Sequence, residues 1–242
     1  MLKQWNELPQ YMQSENILPY YEALKKKRVQ LALKRGFDVA VGTVVAVVLM
    51  PVMLIISIMI KMDSDGPVMF RQERVTAYGK KFRIFKFRTM VVNAESIGAQ
   101  VTSKEDNRIT EIGKLIRKTR LDELPQIFNV IKGDMSFVGT RPEVPRYVDK
   151  YSDEMMATLL LPAGITSEAS IYYKDEDELL SEAENVDYTY INRVLPEKMK
   201  YNLSYIKEYS FVRDLKIMID TVLAVIKRDN RKDIKIAEGV SV

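Results

Sequence analysis

The sequence predicts an α/β protein that is mainly helical, with a small sheet and an N-terminal membrane helix broken at a proline. Three observations support this fold class. Residues 39–60 carry no charge, residues 81–87 largely alternate basic and apolar side chains, and apolar residues between 109 and 116 recur at helical spacing. The chain has 242 residues, 47% of them hydrophobic, which is enough for one or two domains with a core.

Residue composition excludes several kinds of chemistry. The chain contains no cysteine and no histidine, so disulfides, thiolate metal sites, cysteine nucleophiles and imidazole bases are excluded. Catalysis must use carboxylates, lysine, arginine or hydroxyl groups, and any metal must be a hard cation such as Mg²⁺ with oxygen ligands. Six basic residues and no acidic one fall between Lys25 and Arg35, which suggests an anionic partner near this end.

The N-terminal segment, residues 1–33, combines this basic run with the aromatic residues Trp5, Tyr11, Tyr20 and Tyr21. Aromatic rings and lysines are both favourable at the headgroup level of a membrane, so an interfacial segment is one interpretation. A solvated helix is the other, and the sequence does not choose between them.

Residues 34–62 are predicted to form the membrane helix. A straight helix over the uncharged stretch would be about 33 Å long, enough to cross roughly 30 Å of hydrocarbon, so length alone favours a span. Pro51 is expected to kink the helix near residues 47–51. Basic residues flank the segment on both sides, whereas a span should collect them on one side. These features favour a re-entrant helix that enters and leaves on the cytoplasmic face, with a span as the alternative.

Residues 63–242 are predicted to form a cytoplasmic domain. Short strands are expected at 68–70 and 81–87, with Tyr78 and Gly79 in the connection between them, and Thr110 is a candidate N-cap for the next helix. Another helix is expected from Asp122 to Lys132, because Pro125 is tolerated in a first turn and Gly133 is a natural stop. C-terminal helices follow over 196–227, with one apolar stripe that is expected to pack on the body or, alternatively, to lie on lipid: Phe211, Leu215, Ile219, Val222 and Ile226.

The window from Arg117 to Gln126 carries the strongest chemical signal. Cations stand directly ahead of two adjacent carboxylates, Asp122 and Glu123, at a predicted helix start. Backbone amides together with Arg117 and Arg120 are expected to keep Asp122 ionised at neutral pH. Such a carboxylate can hold Mg²⁺ or attack phosphorus, and the simpler alternative is a helix cap beside a surface ion pair.

Three further cations are candidates for binding phosphate. Lys86 and Arg88 are predicted to project from the same face of a strand, and Arg141 lies next to Pro142, which restricts its backbone. Arginine can grip a phosphate at two points, while lysine supplies a compact charge. Solvated surface charges are the alternative interpretation for each of them.

The segments 82–90, 106–110, 116–130 and 132–142, in this order, resemble the bacterial sugar transferase family. These are monotopic polyprenyl-phosphate phosphoglycosyl transferases that initiate glycan assembly. The resemblance covers residues 34–166 and extends more loosely to 225. It implies a membrane helix that is broken at a proline and returns to the same leaflet, which agrees with Pro51.

The resemblance also implies an activity. Members transfer a sugar phosphate from a nucleotide sugar, usually a UDP-sugar, to a polyprenyl phosphate such as undecaprenyl phosphate, at the cytoplasmic face of the bacterial inner membrane. This reaction starts the synthesis of exopolysaccharide, capsule, O-antigen or glycoprotein glycans. By position, Asp122 is the nucleophile that forms a phosphosugar intermediate, Asp122 and Glu123 are the Mg²⁺ ligands, and Arg117 and Arg141 match arginines that meet phosphate. The oligomeric state is left open, with a homo-oligomer among the alternatives.

The chain departs from the family pattern at three places. Met50 stands where a serine commonly precedes the helix-breaking proline, Thr140 replaces a proline, and residues 162–167 replace a basic-Pro-Gly-Ile-Thr-Gly pattern. The last departure motivates a second hypothesis, a membrane scaffold of the same fold with impaired catalysis. Nucleic-acid binding is the weakest hypothesis, because anionic lipid explains basic residues around an apolar segment more simply.

Overall fold

The computed structural model of the chain describes residues 2–94, 107–173, 176, 180 and 185–226. This part is mostly helical and contains two small sheets, in agreement with the predicted fold class. Asp106, in one of the family-like segments, lies outside the described residues. The helices and strands are α1 (Leu18–Lys25), α2 (Arg28–Asp63), β1 (Met69–Val75), β2 (Lys81–Phe87), α3 (Glu111–Lys118), α4 (Gln126–Lys132), β3 (Met135–Val138), α5 (Pro145–Val148), β4 (Ala163–Thr166), α6 (Glu168–Tyr172), α7 (Val186–Thr189), α8 (Leu195–Lys207) and α9 (Phe211–Ile226).

Helix α2 is a single helix of 36 residues that begins at Arg28, ahead of the predicted boundary at residue 34. It is long and apolar enough to cross a membrane by length and composition. Pro51 lies inside the helix and does not interrupt it, so the predicted break is not confirmed. Proline leaves one backbone hydrogen bond unmade, but the bonds on either side can maintain the helix. The re-entrant path therefore stays a prediction.

One face of α2 packs on the rest of the protein. Met53, Ile56 and Ile60 are buried against Phe87 of β2 and Ile116 of α3. The opposite side of the same helix exposes many large apolar side chains to the surroundings. They include Val44, Val47, Val48, Leu54, Ile55 and Ile58.

The first sheet is the antiparallel hairpin predicted around Tyr78 and Gly79. β1 and β2 pair from Met69 opposite Phe87 to Val75 opposite Lys81. Tyr78 and Gly79 adopt left-handed backbone conformations, with φ of 60° and 73°, which reverse the chain between the strands. β2 has the predicted bounds, whereas β1 extends five residues beyond residue 70 because hydrogen bonding to β2 continues to its end.

Residues 162–167, which depart from the family pattern, contain β4, and this strand pairs in parallel with β3. Gly164 lies against the backbone of Gly139, where an added Cβ would come within 2.1 Å of the Gly139 nitrogen. Ser167 then caps α6, since its side chain accepts a hydrogen bond from the backbone N–H of Ser170 at 3.0 Å. The replaced residues thus still form an ordered strand and a helix cap.

The N-terminal segment folds onto the body of the protein. Tyr20 and Tyr21 are 9% and 2% exposed and belong to the main hydrophobic core, which also contains Leu195 and Met199 of α8. The hydroxyl of Tyr20 donates to Glu154 at 2.6 Å. These two rings therefore lie inside the protein, and neither environment considered from the sequence describes them.

The C-terminal helix α9 packs on the body with only part of the expected apolar stripe. Its buried residues include Asp214 and Ile217, which are 3% and 1% exposed. Ile219 and Val222, both in the stripe that was expected to pack, are 61% and 57% exposed. Packing on the body is therefore not found for these two residues, and the alternative, that this side lies on lipid, stays a prediction. The packed side carries the buried ion pair of Asp214 with Lys34, which hydrophobicity alone does not show.

Candidate active site

Glu123 is the centre of a partly buried cluster that joins three distant parts of the chain. Lys86 donates from Nζ to Oε1 of Glu123 at 2.8 Å, and Arg141 donates from Nη2 to the same oxygen at 2.7 Å. The Glu123 side chain is 13% exposed. The structure therefore brings together three residues that the sequence proposed separately.

Local structure explains how these side chains meet. Lys86 lies near the end of β2, Glu123 ends a 3₁₀ turn at Leu121–Glu123, and Arg141 follows β3. Arg120 has a φ of 58°, a left-handed conformation that non-glycine residues rarely adopt, and it turns the chain sharply from α3 into this 3₁₀ turn. The turn places both carboxylates beside the end of β2.

The charges in the cluster stabilise one another. Burial by itself would raise the pKa of Glu123, but Arg141 and Lys86 outweigh it and hold the pKa well below the ordinary glutamate value. Burial lowers the pKa of Lys86, with Glu123 opposing that change. The attraction of Glu123 raises the pKa of Arg141. Glu123 is thus an ionised anchor that positions two cations.

Asp122 has a different environment from its neighbour. It is 9% exposed, and its Oδ1 has no hydrogen-bond partner among the residues that the structure describes. Burial raises its pKa above the ordinary aspartate value, while Lys86, Arg117 and Arg120 act in the opposite direction. The sequence-based expectation considered the two arginines and missed the larger effect of burial. A buried carboxylate oxygen without a partner is a reactive group and a potential ligand.

Arg88 does not join this cluster. Its Nη2 donates to the carbonyl of Ser64 at 2.6 Å and to the hydroxyl of the same residue at 2.9 Å, and its Nη1 donates to the carbonyl of Asp65. The residue is 5% exposed. These contacts use the guanidinium to bind the end of α2 to β2, so the structure does not bring Arg88 to Glu123, and its phosphate role stays a prediction. Arg117, in the last turn of α3, is half-buried and acts on Asp122 through its charge.

Arg74 is a site residue that the sequence analysis missed. Its Nη1 donates to the carbonyl of Pro142 at 3.2 Å, directly after Arg141, so it holds the turn that carries this arginine. Burial lowers the pKa of Arg74, with Glu143 opposing the change. The strand expected from the sequence ended at residue 70, whereas β1 continues to Val75 and so includes Arg74, opposite Phe82 of β2.

The residues of the cluster fit Mg²⁺ only in part. Within the described ranges, no group of three or more carboxylates could hold a metal ion by itself. Mg²⁺ commonly takes one or two protein carboxylates and completes its shell with water and substrate phosphates. Asp122 offers an unpartnered oxygen, whereas Oε1 of Glu123 already accepts from two cations. The free oxygen of Asp122 could therefore serve as one ligand of Mg²⁺, whose other ligands would have to come from water or from a bound phosphate.

The chain thus combines a long apolar helix, two small sheets and an acidic pair beside two partly buried cations. The chain belongs to the bacterial sugar transferase family, whose model matches residues 29–228. This match covers most of α2 and all of the cluster around Glu123.

Curated relatives carry more specific names. The chain is 38% identical over 197 residues to the UDP-N-acetylgalactosamine-undecaprenyl-phosphate N-acetylgalactosaminephosphotransferase of Aeromonas hydrophila, a match covering 80% of this chain and 44% of the relative. It is 44% identical over 125 residues to a putative undecaprenyl-phosphate N-acetylgalactosaminyl 1-phosphate transferase of Bacillus subtilis, with 52% and 70% covered. It is 32% identical over 200 residues to the UDP-glucose:undecaprenyl-phosphate glucose-1-phosphate transferase of Caulobacter vibrioides, with 81% and 71% covered. The chain thus spans less than half of the Aeromonas relative.

Proposed function

We propose that this chain is a phosphoglycosyl transferase that moves a sugar 1-phosphate from a UDP-sugar to a polyprenyl phosphate, with undecaprenyl phosphate as the acceptor. The observation that carries the proposal is the buried oxygen of Asp122 without a partner, next to a glutamate that holds two cations. Membership of the bacterial sugar transferase family and the names of the relatives support the same reaction class.

In the first step, an oxygen of Asp122 attacks the phosphorus that carries the sugar. The bond from this phosphorus to the bridging oxygen breaks, and UMP leaves with the bonding electron pair, so that a phosphosugar remains bound to the aspartate. Lys86 and Arg141 offset the charge of the diphosphate and of the leaving UMP. Glu123 positions both cations before the donor binds, which avoids the cost of ordering them during the reaction.

In the second step, an oxygen of the polyprenyl phosphate attacks the same phosphorus. The bond to Asp122 breaks, and the products are the polyprenyl diphosphate sugar and a free carboxylate ready for another donor. Two displacements at one phosphorus explain why a single buried carboxylate suffices as the covalent group.

Mg²⁺ is part of the proposal as a cofactor that Asp122 holds together with the donor, with Glu123 adjacent. When bound, it would supply positive charge to the phosphate oxygens and so make the phosphorus more electrophilic. The protein's own contribution is to orient Asp122, to place Lys86 and Arg141, and to keep the carboxylate largely away from water.

In this proposal, helix α2 anchors the enzyme to the membrane that contains the lipid acceptor. The exposed apolar side of α2 fits a lipid environment, and its packing on β2 and α3 brings the cluster near that surface. We place the enzyme at the cytoplasmic face of the bacterial inner membrane, where it would begin synthesis of a surface polysaccharide or a glycoprotein glycan. Attachment to the membrane reduces the search for a lipid acceptor to two dimensions.

The test uses the full chain in detergent or nanodiscs with undecaprenyl phosphate, Mg²⁺ and a panel of UDP-sugars. Release of UMP with one donor, together with a labelled phosphosugar trapped on the polypeptide when the acceptor is omitted, is the expected result. UMP release without a trapped adduct would contradict the covalent step. No UMP with any donor would favour the scaffold hypothesis, which the departure at residues 162–167 motivates.

A further inference from the structure

Gln126 has a buried amide whose nitrogen is not used by the fold. The residue is 1% exposed, and its Nε2 has no hydrogen-bond partner within the part of the chain that the structure describes. Buried polar groups in native proteins nearly always have partners, so an unpaired donor requires an explanation. A donor that awaits a ligand is one such explanation.

Asn129, in the same helix, has a side-chain amide with a structural role. It is 0% exposed, its Oδ1 accepts from the backbone N–H of Phe85 at 2.9 Å, and its Nδ2 donates to the carbonyl of Arg83 at 3.0 Å. This side chain joins α4 to β2 through both of its polar atoms. Gln126 lies less than one turn earlier on the helix and makes no comparable pair of bonds through its amide nitrogen.

The position of Gln126 in its helix indicates that it lies near the catalytic cluster. On one side of it, Asn129 binds the backbone of Phe85, and on the other side Glu123 binds Lys86, the next residue of the same strand. Gln126 is three positions from both Asn129 and Glu123, and residues three apart are neighbours on a helix surface, so we expect it to face the end of β2 that carries Lys86.

Asp122 and Gln126 are four positions apart in the chain. Asp122 lies in the 3₁₀ turn, Leu124 and Pro125 have right-handed helical backbone angles, and Gln126 is the first residue of α4. Residues four apart share one side of an α-helix, and both residues here are buried, at 9% and 1% exposed. One contributes an unpaired acceptor, Oδ1, and the other an unpaired donor, Nε2, yet they do not bond to each other. A phosphoryl group would engage both, because its phosphorus accepts the attacking carboxylate and its oxygens accept hydrogen bonds.

We propose that Gln126 is a catalytic residue that donates from Nε2 to a non-bridging oxygen of the phosphoryl group that Asp122 attacks. The inference rests on the proposed function, and it adds a neutral donor to the two cations. The hydrogen bond from such a donor becomes stronger as negative charge grows on the phosphoryl oxygen. Because the amide is already in place, its side chain does not have to move during the reaction.

The variant that tests this is Gln126→Met, which keeps the length of the side chain and removes the amide. We expect the rate of UMP release to fall about 10-fold to 100-fold, since removal of a single oxyanion donor has effects at or above this range. We also expect an unchanged or higher melting temperature, because the variant loses no hydrogen bond from Nε2. Asn129→Leu is the matched control, and it should lower the melting temperature because it leaves Phe85 N–H and the Arg83 carbonyl unpaired.

Wild-type rates in Gln126→Met would overturn the inference. A melting temperature and a rate that fall together, with the rate recovering at lower temperature, would also overturn it, since that is the result expected of a structural glutamine.

A second readout separates this inference from the proposed function. If the wild-type protein forms no adduct and releases no UMP, the proposed function fails, and stabilisation by inorganic pyrophosphate then decides the role of Gln126. A smaller rise in melting temperature with pyrophosphate in Gln126→Met than in wild type supports the phosphate contact. Equal responses of the two proteins, including no response in either, overturn it.

Discussion

Lys34 of α2 donates from Nζ to Oδ2 of Asp214 in α9 at 2.7 Å, although 180 positions separate the two residues in the chain. Lys34 also donates to the carbonyl of Val138 at 2.8 Å, and the hydroxyl of Tyr205 donates to the other Asp214 oxygen at 2.7 Å. Both charged side chains are buried. The pair thus connects the start of the membrane-type helix with the C-terminal helix and with the strand that leads to Arg141.

Replacement of one member of this pair should destabilise the fold. Lys34→Met leaves the Asp214 carboxylate buried without its cation, which should lower the free energy of unfolding by about 3–5 kcal/mol. Chemical denaturation in detergent measures this change. The double variant Lys34→Met with Asp214→Leu is the control and should recover much of the loss, because it removes both charges. Wild-type stability in Lys34→Met would contradict the role given to the pair.

Asp122→Asn should abolish activity without harming the fold. The amide cannot attack phosphorus, so we expect no trapped phosphosugar and a fall in UMP release of at least about 1000-fold. Because burial raises the pKa of Asp122 in the folded protein, ionisation of this carboxyl disfavours folding as pH rises through that pKa. The melting temperature at neutral pH should therefore stay equal to that of wild type or rise. An adduct formed by this variant would show that another residue is the nucleophile.

Glu123→Gln should have the opposite effect on stability. Although burial opposes ionisation, Arg141 and Lys86 hold the pKa of Glu123 well below its ordinary value in the folded protein. The carboxylate thus stabilises the fold above the unfolded-state pKa, and this contribution is lost as pH falls through the lowered pKa. We expect the variant to lose about 2–4 kcal/mol at neutral pH. Denaturation curves should converge with those of wild type at acidic pH, and a constant difference would contradict the assignment.

The pH dependence of the rate should report the charge of Lys86. Burial raises the pKa of Asp122, and Lys86 is the largest influence acting against it. Lys86→Met should therefore raise this pKa further and move the acid limb of UMP release to higher pH, since the reaction needs the ionised carboxylate. Lys81→Met, which removes an exposed lysine from the same strand, is the control and should leave the limb unchanged. A limb that stays in place in both variants would contradict the coupling.

Arg88 and Arg141 should respond differently to substitution. Arg88→Met removes the donors that hold Ser64 and Asp65, so the melting temperature should fall while the rate per folded molecule stays near wild type. Arg141→Met should reduce the rate by about 100-fold or more, because its charge faces the proposed leaving group. Measuring active fraction and rate in parallel distinguishes the two. Equal losses of rate in the folded fraction would instead support Arg88 as a phosphate ligand.

Several elements of the fold could be predicted because their signals are local. Thr110 caps α3 by accepting from the N–H of Gly113 at 3.0 Å, and Gly133 ends α4 with a φ of 93°. β2 has the predicted bounds, and the hairpin turns at Tyr78 and Gly79. Each of these depends on steric and hydrogen-bonding preferences within a few residues, which short patterns express directly.

The partners of the charged residues could not be predicted in the same way. Glu123 meets Lys86 and Arg141 across 37 and 18 positions of sequence, and a count of charges gives no distance between them. In the sequence, Arg88 and Lys86 are equally good candidates for free cations. In the folded protein, the guanidinium of Arg88 is bound to the carbonyl of Ser64 at the end of α2. Burial of Asp122 likewise depends on what packs around the turn, so the direction of its pKa shift needed the structure.

The sequence by itself determined the apolar helix, the hairpin, the helix caps and the acidic pair, because these are encoded over short stretches of chain. Only the tertiary structure decided which carboxylate is anchored and which is left unpaired, and which face of α9 is buried. The physical reason is that desolvation and ion pairing depend on the distances between segments far apart in sequence, and only folding sets those distances.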